Sequence, residues 1–177
     1  FYNFQILLLF FCEKHRIIRT INKAFQQNYI SRSKEETAMV QLIVGNKGKG
    51  KTKQLLDRVN SAIKEANGNI VYLDKSSKHM YDLNNKVRLI DVSTYPLRNC
   101  SEFIGFVCGI VSQDHDLEQM YLDSFLKIAQ LEGQDITDAL EELKKIGELF
   151  NVNFTISISL DEKDIPETLK ENIIVSL

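Results

Sequence analysis

The stretch that decides the fold is the glycine-rich loop Gly45-Asn46-Lys47-Gly48-Lys49-Gly50-Lys51-Thr52. It fits the pattern G-x-x-x-x-G-K-[ST] at every fixed position. The residues before it, Val40–Val44, form an apolar run rich in β-branched side chains, which is typical of a buried strand. After Lys51, apolar side chains recur at helical spacing. The sequence therefore predicts a strand, a tight loop and a helix in succession.

A loop of this composition between a strand and a helix is suited to bind phosphate. Its glycines let successive backbone N–H groups point into one concave surface, and the N-terminus of the following helix adds about half a positive charge. Lys51 is expected to reach the β- and γ-phosphates of a nucleotide as a binding and catalytic residue, and the Thr52 hydroxyl to ligate Mg²⁺. Lys47, Lys49 and Lys53 add positive charge, and solvated loop lysines are their simpler interpretation. We expect all eight loop residues to line the phosphate site.

The rest of the chain alternates between strand-like and helix-like segments. Six short apolar runs are predicted as strands, at 40–44, 70–73, 87–92, 119–122, 153–160 and 172–177. Amphipathic segments between them are predicted as helices, and the pair Asn67-Gly68 is expected to end the first of these. Continuous apolar strands are typical of a parallel sheet covered on both faces. We therefore expect an α/β fold, a three-layer sandwich with a mostly parallel sheet of the P-loop NTPase type.

A magnesium ion at such a loop needs a second acidic ligand. Asp123 is the favoured candidate, because it ends the apolar strand in the run Met120-Tyr121-Leu122-Asp123-Ser124. Ligands of open parallel sheets bind at the carboxyl ends of the strands. Asp74 and Asp91 end two other predicted strands and are the alternatives.

Composition excludes several classes of protein. The 177 residues fit one domain, and 44% hydrophobic and 26% charged residues are a globular balance. A net charge of −2 argues against general nucleic-acid binding. Three cysteines cannot form a disulfide framework, and the longest apolar run is too short for a membrane span. We therefore expect a cytoplasmic location and no membrane partner.

The first 38 residues differ from the rest. They carry a net charge of +3 and no glycine or proline, whereas residues 39–177 carry −5. The purine-rich codons that can encode Lys34-Glu35-Glu36 would place a bacterial ribosome-binding sequence just before Met39. We expect residues 1–38 to be a non-native or disordered leader and the native protein to start at Met39, as a single domain over 39–177. The alternative is a genuine amphipathic helix at the N-terminus.

The order of motifs resembles the core of RecA-like P-loop ATPases. The segments that carry the resemblance are 45–52, 70–74, 89–111, 121–124 and 154–159. Residues 39–177 also look like a group of small, uncharacterised ATP-binding proteins of clostridia. The resemblance implies ATP and Mg²⁺ as cofactors. It also implies an acid that activates water near the end of the second strand, where Asp74 is the nearest candidate.

Two departures from that family bear on function. No glutamate stands beside Asp74 or after Asp123, and the later strand offers only Ser157 and Ser159 toward a γ-phosphate. Nucleotide binding is therefore better supported than hydrolysis, and a slow Mg-dependent ATPase is the leading interpretation. A small-molecule or nucleoside kinase, or a non-catalytic module that responds to nucleotide, is the alternative. The small domain favours a protein partner or self-assembly.

Other residues with reactive side chains are weaker candidates for a functional site. Only three arginines lie in residues 39–177, which weakens the kinase interpretation because kinases use arginines to hold phosphates. His79 has no partner at catalytic spacing in the sequence. The run Asp114-His115-Asp116 is expected to be a solvated turn, since adjacent residues do not converge on one ion.

Overall fold

Six strands form one sheet in the computed structural model, which describes residues 39–177. They are β1 (Val40–Val44), β2 (Asn69–Asp74), β3 (Val87–Asp91), β4 (Leu117–Leu122), β5 (Asn153–Ile158) and β6 (Ile173–Ser176). Their order across the sheet is β3-β2-β4-β5-β1-β6, and every neighbouring pair is parallel. The predicted α/β fold with a parallel sheet is confirmed. The leader expected at 1–38 lies outside the described residues.

Helices cover both faces of this sheet. They are α1 (Lys51–Ala62), α2 (Cys100–Gln113), α3 (Phe125–Ile128) and α4 (Thr137–Phe150), with 3₁₀ segments at Val92–Thr94, Glu162–Asp164 and Glu167–Asn172. Buried side chains of α2, α3 and α4 belong to one hydrophobic cluster, and those of α1 belong to a second cluster. The two clusters lie on opposite faces, so the arrangement is the predicted three-layer sandwich.

Alternation along β2 explains why its sequence is apolar at every position from Ile70 to Leu73. Val71 and Leu73 pack in the cluster beneath α2 and α4, whereas Ile70 and Tyr72 pack beneath α1. Successive side chains of a strand point to opposite faces, so a strand covered on both faces has no solvent-facing position. The continuous apolar runs in the sequence are the direct result.

The end of α1 differs from the prediction. The helix ends at Ala62 instead of at Asn67-Gly68. The backbone N–H groups of Asn67 and Gly68 instead donate to Oε2 of Glu118, at 3.1 and 2.9 Å. A Cβ at Gly68 would collide with the carbonyl oxygen of Asp116. The glycine is therefore required by close contact with the β4 segment and not by a helix cap.

Strand direction sets where functional groups can gather. All strands are parallel, so their carboxyl ends lie at one edge of the sheet. The loop at 45–52 leaves β1 at this edge, and β5 lies between β1 and β4.

Within residues 39–177, no helix has both the length and the apolar character to cross a membrane.

Two helical glycines give opposite predictions for stability. Gly109 is an exposed interior residue of α2, and a Cβ there would meet no atom within 4 Å. Gly147 is buried in α4, and a Cβ there would lie 2.7 Å from the carbonyl oxygen of Val152 and 3.2 Å from Cβ of Met39. Gly109→Ala is expected to raise the free energy of unfolding by up to about 1 kcal/mol, because alanine has the higher helix propensity. Gly147→Ala is expected to lower it by about 1–3 kcal/mol through overpacking.

Urea denaturation of the two variants and the parent chain checks this pair of predictions. Both substitutions make the same chemical change inside a helix, so propensity alone would shift both in the same direction. Stabilisation by both variants would contradict the packing described for Gly147.

Candidate functional site

The glycine-rich loop adopts a conformation that depends on its glycines. Gly50, which precedes α1, has φ 93°, in the left-handed region that disfavours other residues. Gly45 has φ 146°, and a Cβ there would lie 2.7 Å from the carbonyl oxygen of Leu177. The N–H of Gly45 donates to the carbonyl of Leu160 at 2.7 Å. The loop is therefore held against the segments that follow β5 and β6.

Lys51 folds back over this loop. The residue is 7% exposed, and its Nζ donates to the carbonyl oxygens of Gly45 and Asn46 at 2.6 and 2.9 Å. Burial lowers the pKa of the Lys51 ammonium, and the negative charge of Asp123 opposes that change. The ammonium group thus lies across the mouth of the loop, with backbone carbonyls as its partners.

Strand register brings three polar side chains into one row beside the loop. Leu73 of β2 is paired with Leu122 of β4, and Leu122 with Ile156 of β5. The next residue on each strand is therefore Asp74, Asp123 and Ser157 respectively. They are 2%, 3% and 2% exposed. Asp74 and Asp123 lie two positions after Tyr72 and Tyr121, which pack beneath α1, and Ser157 is paired with Ile43, which also packs there. Side chains two positions apart point to the same face, so all three polar side chains point to the face that α1 covers.

Asp123 is the central member of this row. Its Oδ2 accepts a hydrogen bond from the Thr52 hydroxyl at 2.8 Å. Its Oδ1 accepts from the Ser157 hydroxyl at 2.5 Å and from the Ser124 N–H at 2.7 Å. Both carboxylate oxygens are therefore fixed in position. The structure brings together Thr52 and Asp123, the two residues predicted to ligate magnesium; that they ligate it stays a prediction.

Asp74 is buried with fewer partners. Its Oδ1 accepts the N–H of Lys75 at 2.6 Å. Burial, and then the neighbouring Asp123 carboxylate, raise the pKa of Asp74, while the Lys75 N–H and the charge of His79 act in the opposite direction. A carboxylate with a raised pKa is a stronger base than an ordinary aspartate. This environment suits the proton-accepting role predicted for Asp74.

Two residues at this edge of the sheet make contacts that the sequence did not predict. Ser157 was noted only as a weak substitute for a γ-phosphate sensor, yet it binds Asp123 directly. His79 was set aside because it has no partner at catalytic spacing in the sequence, yet the fold brings it close to two buried carboxylates. A ring nitrogen of His79 lies within 4.8 Å of ligand atoms of both Asp74 and Asp123. The twelve-residue connection between β2 and β3 carries His79 back to the strand ends, and no spacing rule predicts such a return.

The other candidates lie outside this row. Lys47, Lys49 and Gly48 are exposed at the tip of the loop, and the Asn46 amide donates to Oδ2 of Asp161 at 3.4 Å. Asp91 accepts from the N–H and hydroxyl of Ser93 at 3.0 and 2.6 Å and begins a 3₁₀ segment.

The turn at 114–116 has a structural role in the described part of the chain. Asp114 accepts from the Asn69 amide at 3.1 Å and from the Asp116 N–H at 3.1 Å. His115 is exposed. The turn thus ties the end of α2 to the start of β2, in keeping with the solvated turn expected from sequence.

The residues present fit a magnesium ion. Mg²⁺ prefers oxygen ligands, commonly one or two carboxylates together with substrate phosphates and water. The Thr52 hydroxyl and the Asp123 carboxylate are oxygen donors held 2.8 Å apart next to the loop. The arrangement can therefore place a divalent cation between the Asp123 edge and an anion on the loop.

Comparison with known proteins adds little to this geometry. No protein-family model matches the chain, and no curated protein matches it either. Among solved structures, it is similar to the flagellar accessory protein FlaH from Methanocaldococcus jannaschii, with a TM-score of 0.49 and 12% identity over 75% of this chain and 69% of that chain. Similarity at this level identifies neither a family nor a function. The class of the protein, a parallel α/β sandwich with a phosphate-type loop at the carboxyl edge, rests on its own sheet and loop.

Proposed function

We propose that the chain binds a nucleoside triphosphate, with ATP favoured, together with Mg²⁺ at the loop formed by residues 45–52. The observation that supports this most directly is the position of Lys51, whose ammonium lies across the loop on two backbone carbonyls. A phosphate is a stronger partner for an ammonium than a neutral carbonyl, because the hydrogen bond is then assisted by two opposite charges. A bound phosphate would therefore take the place of the Gly45 and Asn46 carbonyls as the partner of the Lys51 ammonium.

In this proposal each residue has a separate task. The loop N–H groups and the start of α1 surround the phosphates, and Lys51 contacts the β- and γ-phosphates. Thr52 and Asp123 hold Mg²⁺, which when bound neutralises charge on the phosphate oxygens. Ser157 acts as a positioning residue, since its hydroxyl fixes one oxygen of Asp123 at 2.5 Å.

Slow hydrolysis is the second part of the proposal, with Asp74 as general base. Water would attack the γ-phosphorus, ADP would leave, and Asp74 would take the proton of the attacking water. The raised pKa of Asp74 and its place beside Asp123 support this assignment.

Nucleotide binding is tested by thermal unfolding of the full chain with MgATP. At a free ligand concentration of about 100 Kd, binding stabilises the folded state by about 2.7 kcal/mol, which corresponds to a rise in Tm of roughly 5–10 °C. Lys51→Ala is expected to abolish the rise, because it removes the cation from the loop. Lys64→Ala makes the same change of charge at an exposed site beyond the end of α1 and is expected to leave the rise unchanged. Absence of any rise in the parent chain with every nucleoside triphosphate would overturn the proposal.

Hydrolysis is tested separately with Asp74→Asn. This variant is expected to keep the rise in Tm with MgATP and to release phosphate at least about 100-fold more slowly, since the proton acceptor is lost. Asp91→Asn is the matched control, because Asp91 is paired with Asp74 on the neighbouring strand but bonds to Ser93. Labelled γ-phosphate should appear as free phosphate. Transfer to an acceptor would favour a kinase, and tight binding without turnover would favour a non-catalytic module; either result would contradict the role of Asp74.

A further inference from the structure

One group of three metal-ligating side chains lies together in the described part of the chain. Asp74, His79 and Asp123 offer one ligand atom each, and these atoms lie within 4.8 Å of one another. The two aspartates are buried, and the side chain of His79 is 31% exposed. The group is therefore closed on the side of the sheet and open to solvent at the histidine.

The three ligand atoms are close enough to share one small ion if their side chains move toward it. Tetrahedral donors about 2.1 Å from an ion are about 3.4 Å apart. The ligand atoms, which lie within 4.8 Å of one another, would therefore have to approach by up to about 1.4 Å to bind a single ion.

His79 is held in place by a contact with Asp82. Its Nδ1 lies 2.9 Å from Oδ2 of Asp82. When Nδ1 donates its proton to Asp82, Nε2 carries the lone pair that a metal needs, and histidine ligands in proteins are commonly oriented by a carboxylate in this way. Asn60 of α1 fixes the same connection, since its amide donates to the Asp82 carbonyl at 2.8 Å and accepts from the Asn84 N–H at 2.8 Å.

A buried hydroxyl lies next to this group. Tyr72 is fully buried, on the α1 face two residues before Asp74. Burial, the charges of Asp123 and Asp74, and the Asp123 carboxylate as hydrogen-bond acceptor all raise the pKa of the Tyr72 hydroxyl. The phenol therefore stays neutral and adds no charge to the two carboxylates.

The ligand set favours a transition metal over magnesium. Imidazole is a suitable ligand for Zn²⁺ and comparable ions, whereas Mg²⁺ prefers oxygen alone, and affinity at such sites rises from Mn²⁺ toward Zn²⁺. We infer that Asp74, His79 and Asp123 bind a divalent transition-metal ion, with Zn²⁺ preferred over Mn²⁺ and both preferred over Mg²⁺. The site shares Asp123 with the Thr52 pair but differs from it in its nitrogen ligand.

The inference does not rest on the proposed function, because the three ligands come from the sheet edge and the β2–β3 connection and not from the loop. It does have a consequence for that function. An ion on Asp74 occupies the oxygen that would take the proton from water. Zn²⁺ bound here would therefore slow hydrolysis, and it would compete with Mg²⁺ for Asp123.

Calorimetric titration of the full chain with Zn²⁺ alone, after treatment with a chelator and without nucleotide, tests the site. One equivalent is expected to bind, with Mn²⁺ binding more weakly and excess Mg²⁺ failing to displace Zn²⁺. His79→Asn is expected to weaken binding about tenfold or more, because it removes the nitrogen ligand from a partly exposed connection. Asp74→Asn should weaken Zn²⁺ binding to a similar extent. If this buried substitution prevents folding, the His79→Asn variant alone decides the test.

His115→Asn is the matched control, since His115 is the other histidine in the described residues and lies exposed in the 114–116 turn. It is expected to bind Zn²⁺ like the parent chain. In ¹H–¹⁵N spectra of the imidazole rings, Zn²⁺ should shift a nitrogen of His79 and leave His115 in place. Unchanged affinity in His79→Asn, displacement by Mg²⁺, or a shift at His115 alone would each overturn the inference, whatever the outcome for nucleotide binding.

Discussion

The parallel direction of all six strands is the constraint on which the rest of the structure depends. It puts every strand's carboxyl end at one edge, and the pairing of Leu73, Leu122 and Ile156 then lines up the residues that follow them. A shift of register by one residue would turn these polar groups to the opposite face, away from α1. Packing of β2, β4 and β5 therefore determines the geometry of the site. The loop that follows β1 adds the buried cation Lys51, whose ammonium is influenced by the charge of Asp123.

Buried negative charge exceeds buried positive charge at this edge of the sheet, which favours the binding of cations. Asp74 and Asp123 are buried side by side, and Lys51 is the nearby buried cation. Asp123 is satisfied by hydroxyl and N–H donors, whereas Asp74 has one backbone donor. Burying like charges together is costly unless a counter-ion is present. This excess of negative charge is the common basis of the two cation sites that we propose.

Local sequence signals predicted much of this arrangement. The loop pattern, the apolar strands and the α1 stripe specify the α/β sandwich because each reflects a short-range rule of backbone geometry. Asp123 could be singled out because it directly follows a strand. The predicted end of α1 was wrong, because position 68 needs a glycine to avoid a clash with the Asp116 carbonyl and not to end the helix. The contacts of Ser157 with Asp123 and of His79 with the two aspartates were not predicted for the same reason, because strand register and a long connection define them.

The central claim is that the loop at the carboxyl edge binds the phosphates of MgATP. The most direct measurement is a titration of the ¹⁵N-labelled full chain with MgATP, with adenosine and Mg²⁺ as the reference, followed by backbone amide shifts. The account predicts that the largest shifts with MgATP fall on Gly48, Gly50, Lys51 and Thr52, and that adenosine leaves these amides unchanged. Shifts of equal size with adenosine, or loop amides that do not respond to MgATP, would contradict it.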